Sequence, residues 1–489
     1  MLPTVTQLRA WTAMSISDAA ARGRDTTMVE LDLAGATDSY DEVWAIAQRR
    51  ATLSMRTDWP WDEPDDLEGI VAASDRVVVG RRLAPEIAAP LIEAAWLGRV
   101  AGCILGKPVE VDPSPDELRR AQRMARAAGT AGASWPIDAF VDAAALDGLG
   151  RRQPQWVETV AGRVHHVAVD DDLSYPVLAL LLLEAHGVAF THADLWALWH
   201  LQLPIATTFG PERTQLLGTA IAALPGDPSS ATATARTTAV ETVNPGIELC
   251  GALIRVDAYA WACLGDPGAA VELAWIDASA THRGVGLHAA LFVAALLALA
   301  PIIEPWDELV LAAAGHIPRR CRLGDVVTQA VASVAAASTW GEAIARIHAR
   351  HGRFTHCGVI QEVATLVATL RFATDVGHGV GLQVSAGNDT DSFGATAGSL
   401  LGLRFGMVGL DRARWVEPFA DDLRLAMALP PERSLEAMGR RFAALPALLN
   451  AHAAGAVPPG LAAVLFGASP ATSVRQAPSG RDAWAGAAS

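Results

Sequence analysis

The sequence holds one lysine, Lys107, among 38 basic side chains, and only 3 tyrosines in 489 residues. Acidic residues number 53, which sets a net charge of -15 and a pI near 5.3. A chain this short of positive charge lacks the basic field on which non-specific binding to nucleic acid or anionic membranes depends. A local pocket for a phosphorylated ligand stays open. Cysteine is also scarce: Cys103, Cys250, Cys263, Cys321 and Cys357 are odd in number and widely spaced, with no C-x-x-C pair. That speaks against a zinc motif or a disulfide framework and predicts reduced thiols in a cytoplasmic protein. The first fifteen residues lack the basic start and apolar run of a secretory leader. The most apolar stretch, Leu287 to Ile303, is interrupted by His288 and Pro301; it is expected to be a buried core helix and not a membrane span. No G-x-S-x-G elbow, P-loop or dinucleotide fingerprint occurs, so serine-hydrolase, NTPase and Rossmann chemistry have no motif to stand on.

What remains is hydrophobic (51%), low in charge (19%) and rich in small residues, which suits a large close-packed core. From Ala84 the apolar positions fall at helical spacing, with Ile87, Leu91, Ile92, Ala95, Trp96 and Val100 on one stripe. Gly106 and Pro108 end that pattern. Residues from Gln155 to Val169 could form one or two strands. After Asp172 the periodicity predicts helices at Ser174–Ala185, Ala193–Leu201, Pro211–Leu224, Ile247–Cys263, Pro267–Ala280, Leu287–Leu299, Trp306–Ala314, Val326–Ala337, Gly341–Ala349, Gly358–Phe372, Ser392–Arg404 and Leu435–Leu448. The expectation is an all-α protein with one dominant domain at 85–452. An extension at 1–84 contains a non-helical connection around Trp59, Trp61 and Pro64. A tail at 453–489 is rich in Ala, Ser, Gly and Pro at its end, the composition of disorder.

Two acidic clusters stand ahead of apolar helices: Asp170-Asp171-Asp172, and Asp389-Thr390-Asp391-Ser392. Either alone reads as helix capping, because Asp is a favoured N-cap and suits the positive helix end. Together they read differently. Adjacent buried carboxylates repel and hold their protons unless a cation is present, and hard divalent ions take several carboxylate, hydroxyl and water oxygens. Lys107 and Glu110 share a Gly-Pro-shaped loop after the first core helix, where a lysine could meet a phosphate. His282 and His356, near helix ends, read as structural residues. His165 and His166 are adjacent, so on a strand they would face opposite ways.

These segments resemble the ADP-ribosylglycohydrolase family. WLGRVAGCILGKPVE, DDDLSYPVLALLLLEAHG, the stretch from Asn244 to Ala300 and GNDTDSFGATAGSLLG occur in the family's order, from about Leu91 to Gly406. The resemblance implies an all-helical hydrolase that uses two magnesium ions to cleave a glycosidic bond to ADP-ribose. Asp171 and Asp172 match the first pair of metal-ligating aspartates; a frame shifted by one makes Asp170 and Asp171 that pair. Asp389 and Asp391 match the second pair, Ser392 a hydroxyl ligand, and Glu110 the acidic loop residue at the metal site. Gly251 and His282 fall in stretches that line the ADP-ribose cleft. Cys250-Gly251-Ala252 replaces the Gly-Asn-Gly of several members. The implied chemistry passes through an oxocarbenium-like state, with Asp171 or Glu110 taking a proton from the attacking water. The implied partner is ADP-ribose or an ADP-ribosylated acceptor. The alternatives are another N- or O-glycoside, or a non-catalytic ADP-ribose binder.

Overall fold

The computed structural model describes residues 3–76, 82–110, 113–127, 129, 133–149, 154–223, 240–352 and 356–453. Among them there is no β-sheet, only isolated bridges such as Val167 with Leu423. The all-α expectation holds, and the strands anticipated at Gln155–Val169 are absent. A 3-10 turn at Pro154–Thr159 and a turn through Gly162, at φ 76°, leave Val167 to pair alone before Asp170 starts a helix. The tail beyond residue 453 lies outside the described residues.

Four helices precede the dominant region: α1 (Val5–Ala21), α2 (Thr27–Gly35), α3 (Tyr40–Arg50) and α4 (Leu67–Ala73). The non-helical connection expected around Trp59 runs between α3 and α4. Then come α5 (Pro85–Gly106), α6 (Pro115–Ala127), α7 (Ala143–Leu149), α8 (Asp171–His186), α9 (His192–Gln202) and α10 (Gly210–Ala223). The second half holds α11 (Asp257–Ala262), α12 (Pro267–Ala278), α13 (Gly284–Leu299), α14 (Trp306–Ala314), α15 (Arg322–Ala335), α16 (Trp340–His351), α17 (Val359–Phe372), α18 (Val376–Ser385) and α19 (Thr390–Phe405). A short α20 (Arg412–Trp415) leads to α21 (Leu435–Ala443) and α22 (Leu445–Ala453).

The centre is α13, buried at every position. Its sequence is apolar all round, which only a core or a membrane accommodates. Here α11, α12, α14, α17 and α19 surround it. Two further helical stretches, Pro85–Val109 and Asp171–Ala189, are long and apolar enough to cross a membrane, yet both are largely buried within the fold. Each fully buried Leu, Val or Phe contributes about 1.5–3 kcal/mol of transfer free energy.

The closest helix pair is α5 with α19. Gly98, Gly102 and Gly106 recur every fourth residue on α5, and Gly394, Gly398 and Gly402 do the same on α19. A Cβ built on Gly102 would lie 1.9 Å from the Gly394 carbonyl oxygen, and one on Gly398 would lie 2.0 Å from the Gly98 oxygen. The backbones touch because no side chain separates them. At the end of this seam Thr390 Oγ1 donates to the Gly106 carbonyl at 2.8 Å, which satisfies an orphan carbonyl of α5. The seam therefore brings the loop after α5 against the start of α19.

The single helix anticipated at Ile247–Cys263 is broken. Gly246 turns at φ 81°, Cys250–Arg255 winds as a 3-10 helix, and α11 starts at Asp257. Buried arginines take carbonyls from this stretch: Arg255 Nη1 donates to Gly251 O at 3.0 Å, and Arg99 Nη2 to Ile254 O at 2.7 Å. The helix anticipated at Leu435–Leu448 divides into α21 and α22 around Ala444, with Pro446 in the first turn of α22, where a missing N–H costs little.

Candidate active site

Asp170 is the N-cap of α8. Its Oδ1 accepts from Asp172 N at 2.9 Å, and its Oδ2 takes the Lys107 ammonium. Both oxygens of Asp170 are thus engaged. Pro176 has no N–H to offer the Asp172 carbonyl four residues back. Arg99 Nε fills that place, donating to Asp172 O at 2.9 Å, while its Nη1 meets Asp257 Oδ2 at 2.8 Å. A buried guanidinium thereby fixes the start of α8.

The start of α19 faces it. Ser392 Oγ donates to Asp172 Oδ2 at 3.1 Å, and Ser392 N to Asp391 Oδ1 at 3.0 Å. Asp389 N donates to Glu362 Oε1 at 2.9 Å, and Cys250 Sγ to Asp389 Oδ2 at 3.1 Å. The two acidic clusters, distant in sequence, converge on one cleft of about 570 Å³. Lys107, Glu110, Asp170, Asp171, Asp172, Gly251, Asp389, Asp391 and Ser392, all singled out from the sequence, line it.

His282 does not line the cleft. It is fully buried behind Glu212, with Nδ1 at 2.8 Å from Thr281 Oγ1 and 3.7 Å from Glu212 Oε1. Burial and the nearby Arg255 and Arg283 hold its pKa well below the usual imidazole range. Lys107 reaches the cleft through its ion pair with Asp170.

Sequence reading passed over Glu212, Glu362 and Cys357, and took His356 as structural. Glu212 and His356 line the cleft with Cys357, and Glu362 stands behind Asp389. Glu212 is held by Arg255, which also reaches Asp277 Oδ1 at 2.5 Å and lies 4.9 Å from the Trp199 ring centroid. A Cβ on Gly251 would stand 2.4 Å from Glu212 Oε1, so any side chain there displaces the carboxylate. The available signal for Glu362 was that it is the one charged residue in the run VIQEVATLVATL.

Six carboxylates other than the Arg255-bound Glu212 line the cleft, and Lys107 is the only Lys or Arg among its described lining residues. Burial, followed by the neighbouring acids, pushes Asp171, Asp172 and Asp391 well above the usual carboxylate range. Glu362 is pushed up in the same way, by burial and then by Asp389. Glu362 Oε2 is buried and accepts no hydrogen bond, and Asp172 Oδ1 has only a buried ion pair with Arg99 Nη2 at 3.5 Å. Under-satisfied carboxylate oxygens beside acids that cannot all ionise are what a bound cation would satisfy. An oxygen-rich donor set fits a hard divalent ion.

Fold and cleft together define a protein that is all-helical over the described residues, with one carboxylate-lined cleft as its candidate site. The sequence profile of the ADP-ribosylglycohydrolase family matches residues 88–451, and the chain belongs to that family. It is therefore a glycosidase by family. A solved structure described as an ADP-ribosylglycohydrolase-related protein complex aligns at 18% identity and a TM-score of 0.45, over 74% of this chain and 99% of that one. No curated protein sequence matches.

Proposed function

We propose that the protein is a magnesium-dependent hydrolase that cleaves the glycosidic bond between ADP-ribose and an acceptor, reversing ADP-ribosylation. The observation that carries this reading is the convergence of both Asp clusters on one cleft with a single lysine to balance them. Asp171, Asp172, Asp389, Asp391 and Ser392 would hold the ions, with Glu110 beside them. Asp170 is already committed to Lys107 and to capping α8, which favours Asp171 and Asp172 as the first ligand pair. Bound magnesium would supply Lewis acidity and lower the pKa of a water.

The protein's own groups do the rest. Glu110, and Asp171 once a bound cation has displaced the proton that burial favours, are partly open to the cleft and can accept a proton from an attacking water. Glu212 and Gly251, fixed by Arg255, shape the opposite wall. The start of α10 opens onto the cleft with Gly210 and Pro211, and helix N-termini receive phosphate oxygens. Phe209, 59% exposed at the rim, offers a face on which a base can stack.

A second reading has its own observation. No arginine lines the cleft among the described residues, and Lys107 is tied to Asp170. A diphosphate would meet backbone amides alone, which favours a less anionic N- or O-glycoside on the same scaffold. A substrate panel separates the two.

The deciding assay follows release of ADP-ribose from an ADP-ribosylated protein as magnesium is titrated in. Asp389→Asn keeps size and removes one charge. Turnover should fall by orders of magnitude, since metal polarisation supplies several kcal/mol and each ~1.4 kcal/mol is tenfold. Asp307→Asn, exposed on α14 and away from the cleft, is the control. Near-normal turnover in Asp389→Asn with unchanged magnesium dependence would sink the proposal.

A further inference from the structure

The cleft carries sulfur and imidazole as well as oxygen. Cys250 opens the 3-10 turn after Leu249, buried, with its thiol on Asp389 Oδ2 at 3.1 Å. Cys357 comes from the separate segment ahead of α17 and holds a left-handed backbone, φ 62°, which is uncommon for a residue other than glycine or asparagine. The two sulfurs and an Asp389 oxygen all lie within 4.8 Å of one another. Glu110, His356 and Asp389 form a second such trio, with His356 Nε2 at 3.4 Å from Glu110 Oε1. Asp389 belongs to both. Behind it stands Glu362, 1% exposed, with Oε2 unpartnered.

We propose that Cys250, Cys357, His356 and Asp389 form a binding site for a soft divalent cation, zinc above all, that shares Asp389 with the carboxylate cleft. Thiolate and imidazole donors select zinc over magnesium, which prefers oxygen. Four-coordinate zinc holds sulfur at about 2.3 Å and nitrogen or oxygen at about 2.0 Å, so its ligand atoms stand roughly 3–4 Å apart. The two trios, each within 4.8 Å and joined at Asp389, need a side-chain adjustment to bring His356 into one tetrahedron with both sulfurs. A disulfide would use the two sulfurs alone; a soft metal uses both sulfurs together with the imidazole and the Asp389 carboxylate that converge beside them. Binding forms two Zn–S bonds, one Zn–N and one Zn–O. It displaces the two thiol protons and any proton on His356 to solvent. Zinc held here withdraws Asp389 from the hard-ion ligands, so it should inhibit magnesium-supported turnover. That consequence rests on the reading given under Proposed function; the binding itself does not.

The test uses full-length, metal-free, fully reduced protein titrated with Co²⁺ as a coloured substitute for zinc. The expected result is one equivalent of cobalt with thiolate-to-metal charge-transfer absorption and the intense visible bands of a four-coordinate ion. Zn²⁺ should bleach both, and a hundredfold excess of Mg²⁺ should not. Cys250→Ser and Cys357→Ser should each halve the charge-transfer band and weaken zinc at least tenfold, while circular dichroism reports that the variants remain folded. Cobalt bound without a sulfur band, or no binding by the reduced wild type, would overturn the proposal. So would zinc affinity unchanged in both variants. A sulfur band in a protein with no magnesium-dependent turnover upholds the zinc site and removes only the hydrolase reading.

Discussion

Asp172 shows what a single residue does in this cleft. One oxygen is bonded by Ser392, the other is ion-paired with Arg99 Nη2 at 3.5 Å, and its carbonyl is held by Arg99 because Pro176 cannot reach back for it. Burial, and then Asp170, raise its carboxyl well above the ordinary range. Without metal the folded protein therefore keeps a proton on Asp172 at pH values where the unfolded chain has lost it. Stability should then rise as pH falls from the raised folded pKa toward the model value of 3.8. One extra bound proton contributes up to about 1.4 kcal/mol per pH unit. Denaturant melts of the metal-free protein between neutral and mildly acidic pH should show this slope. Asp172→Asn should make it shallower, with Asp171, Asp391 and Glu362 carrying the remainder, and magnesium in the wild type should do so further, because bound cations replace the protons. An identical slope in the variant would mean that other groups set it. The Asp clusters were legible in the sequence because three adjacent acids before an apolar helix are conspicuous. Cys250, Cys357 and His356 were not, since nothing in a spacing of more than a hundred residues says that they meet.

At the scale of elements, the α5–α19 seam carries the site. Its glycines let Gly106 sit against Thr390, which sets Lys107 and Glu110 opposite Asp389 and Asp391. Gly102→Ala places a methyl carbon where the Gly394 oxygen stands 1.9 Å away, and backbone cannot rotate aside as a side chain can. Overpacking of a tight core costs about 1–3 kcal/mol, occasionally more, and it should also push the two halves of the cleft apart. The same change at Gly341, in the exposed first turn of α16 with nothing within 4 Å, should stabilise by about 0.4–1 kcal/mol. Urea melts of both variants, with turnover measured alongside, check the pair; an equal and small effect at the two positions would rule out a backbone-contact seam. The apolar stripe of α5 was readable in the sequence, and so was the wholly apolar α13. Helix α18 was not: VGHGVGLQVS has three glycines and poor helix propensity. Its glycines answer to packing, with a Cβ on Gly381 falling 1.9 Å from the Ile137 oxygen and one on Gly379 falling 2.1 Å from Leu401. Tertiary contact overrides propensity there, and a single sequence carries no trace of that contact.

At the scale of the whole molecule, the first sixty residues form a cluster of their own. Leu8, Ile16, Val29, Leu33, Val43, Ile46 and Ala47 pack together, joined from the rest of the chain by Val243. The main core contains no residue before Ile70. The link between the two is mostly polar and runs to the approach to Cys250 and Gly251. Asp18 Oδ2 accepts from Gly246 N at 2.8 Å, Ser15 Oγ from Asn244 N at 3.0 Å, and Arg50 Nε donates to Thr242 O at 3.0 Å. The N-terminal helices therefore hold the turn-rich run that delivers one wall of the cleft, although their sequence gave no sign of it. Deleting residues 1–58 should leave a cooperatively unfolding core, since the main cluster is untouched. It should lower the melting temperature by several degrees and reduce kcat/KM about tenfold or more through a misplaced Gly251. Asp18→Ala should move both in the same direction by less, because a hydrogen bond to a charged group contributes about 1.5–3 kcal/mol. Proteolysis should report the cause: both proteins should become cleavable between 240 and 249 while the remainder resists. A truncated protein with unchanged kcat/KM and a protected 240–249 segment would show that this wall holds itself, and that the N-terminal helices serve some other purpose.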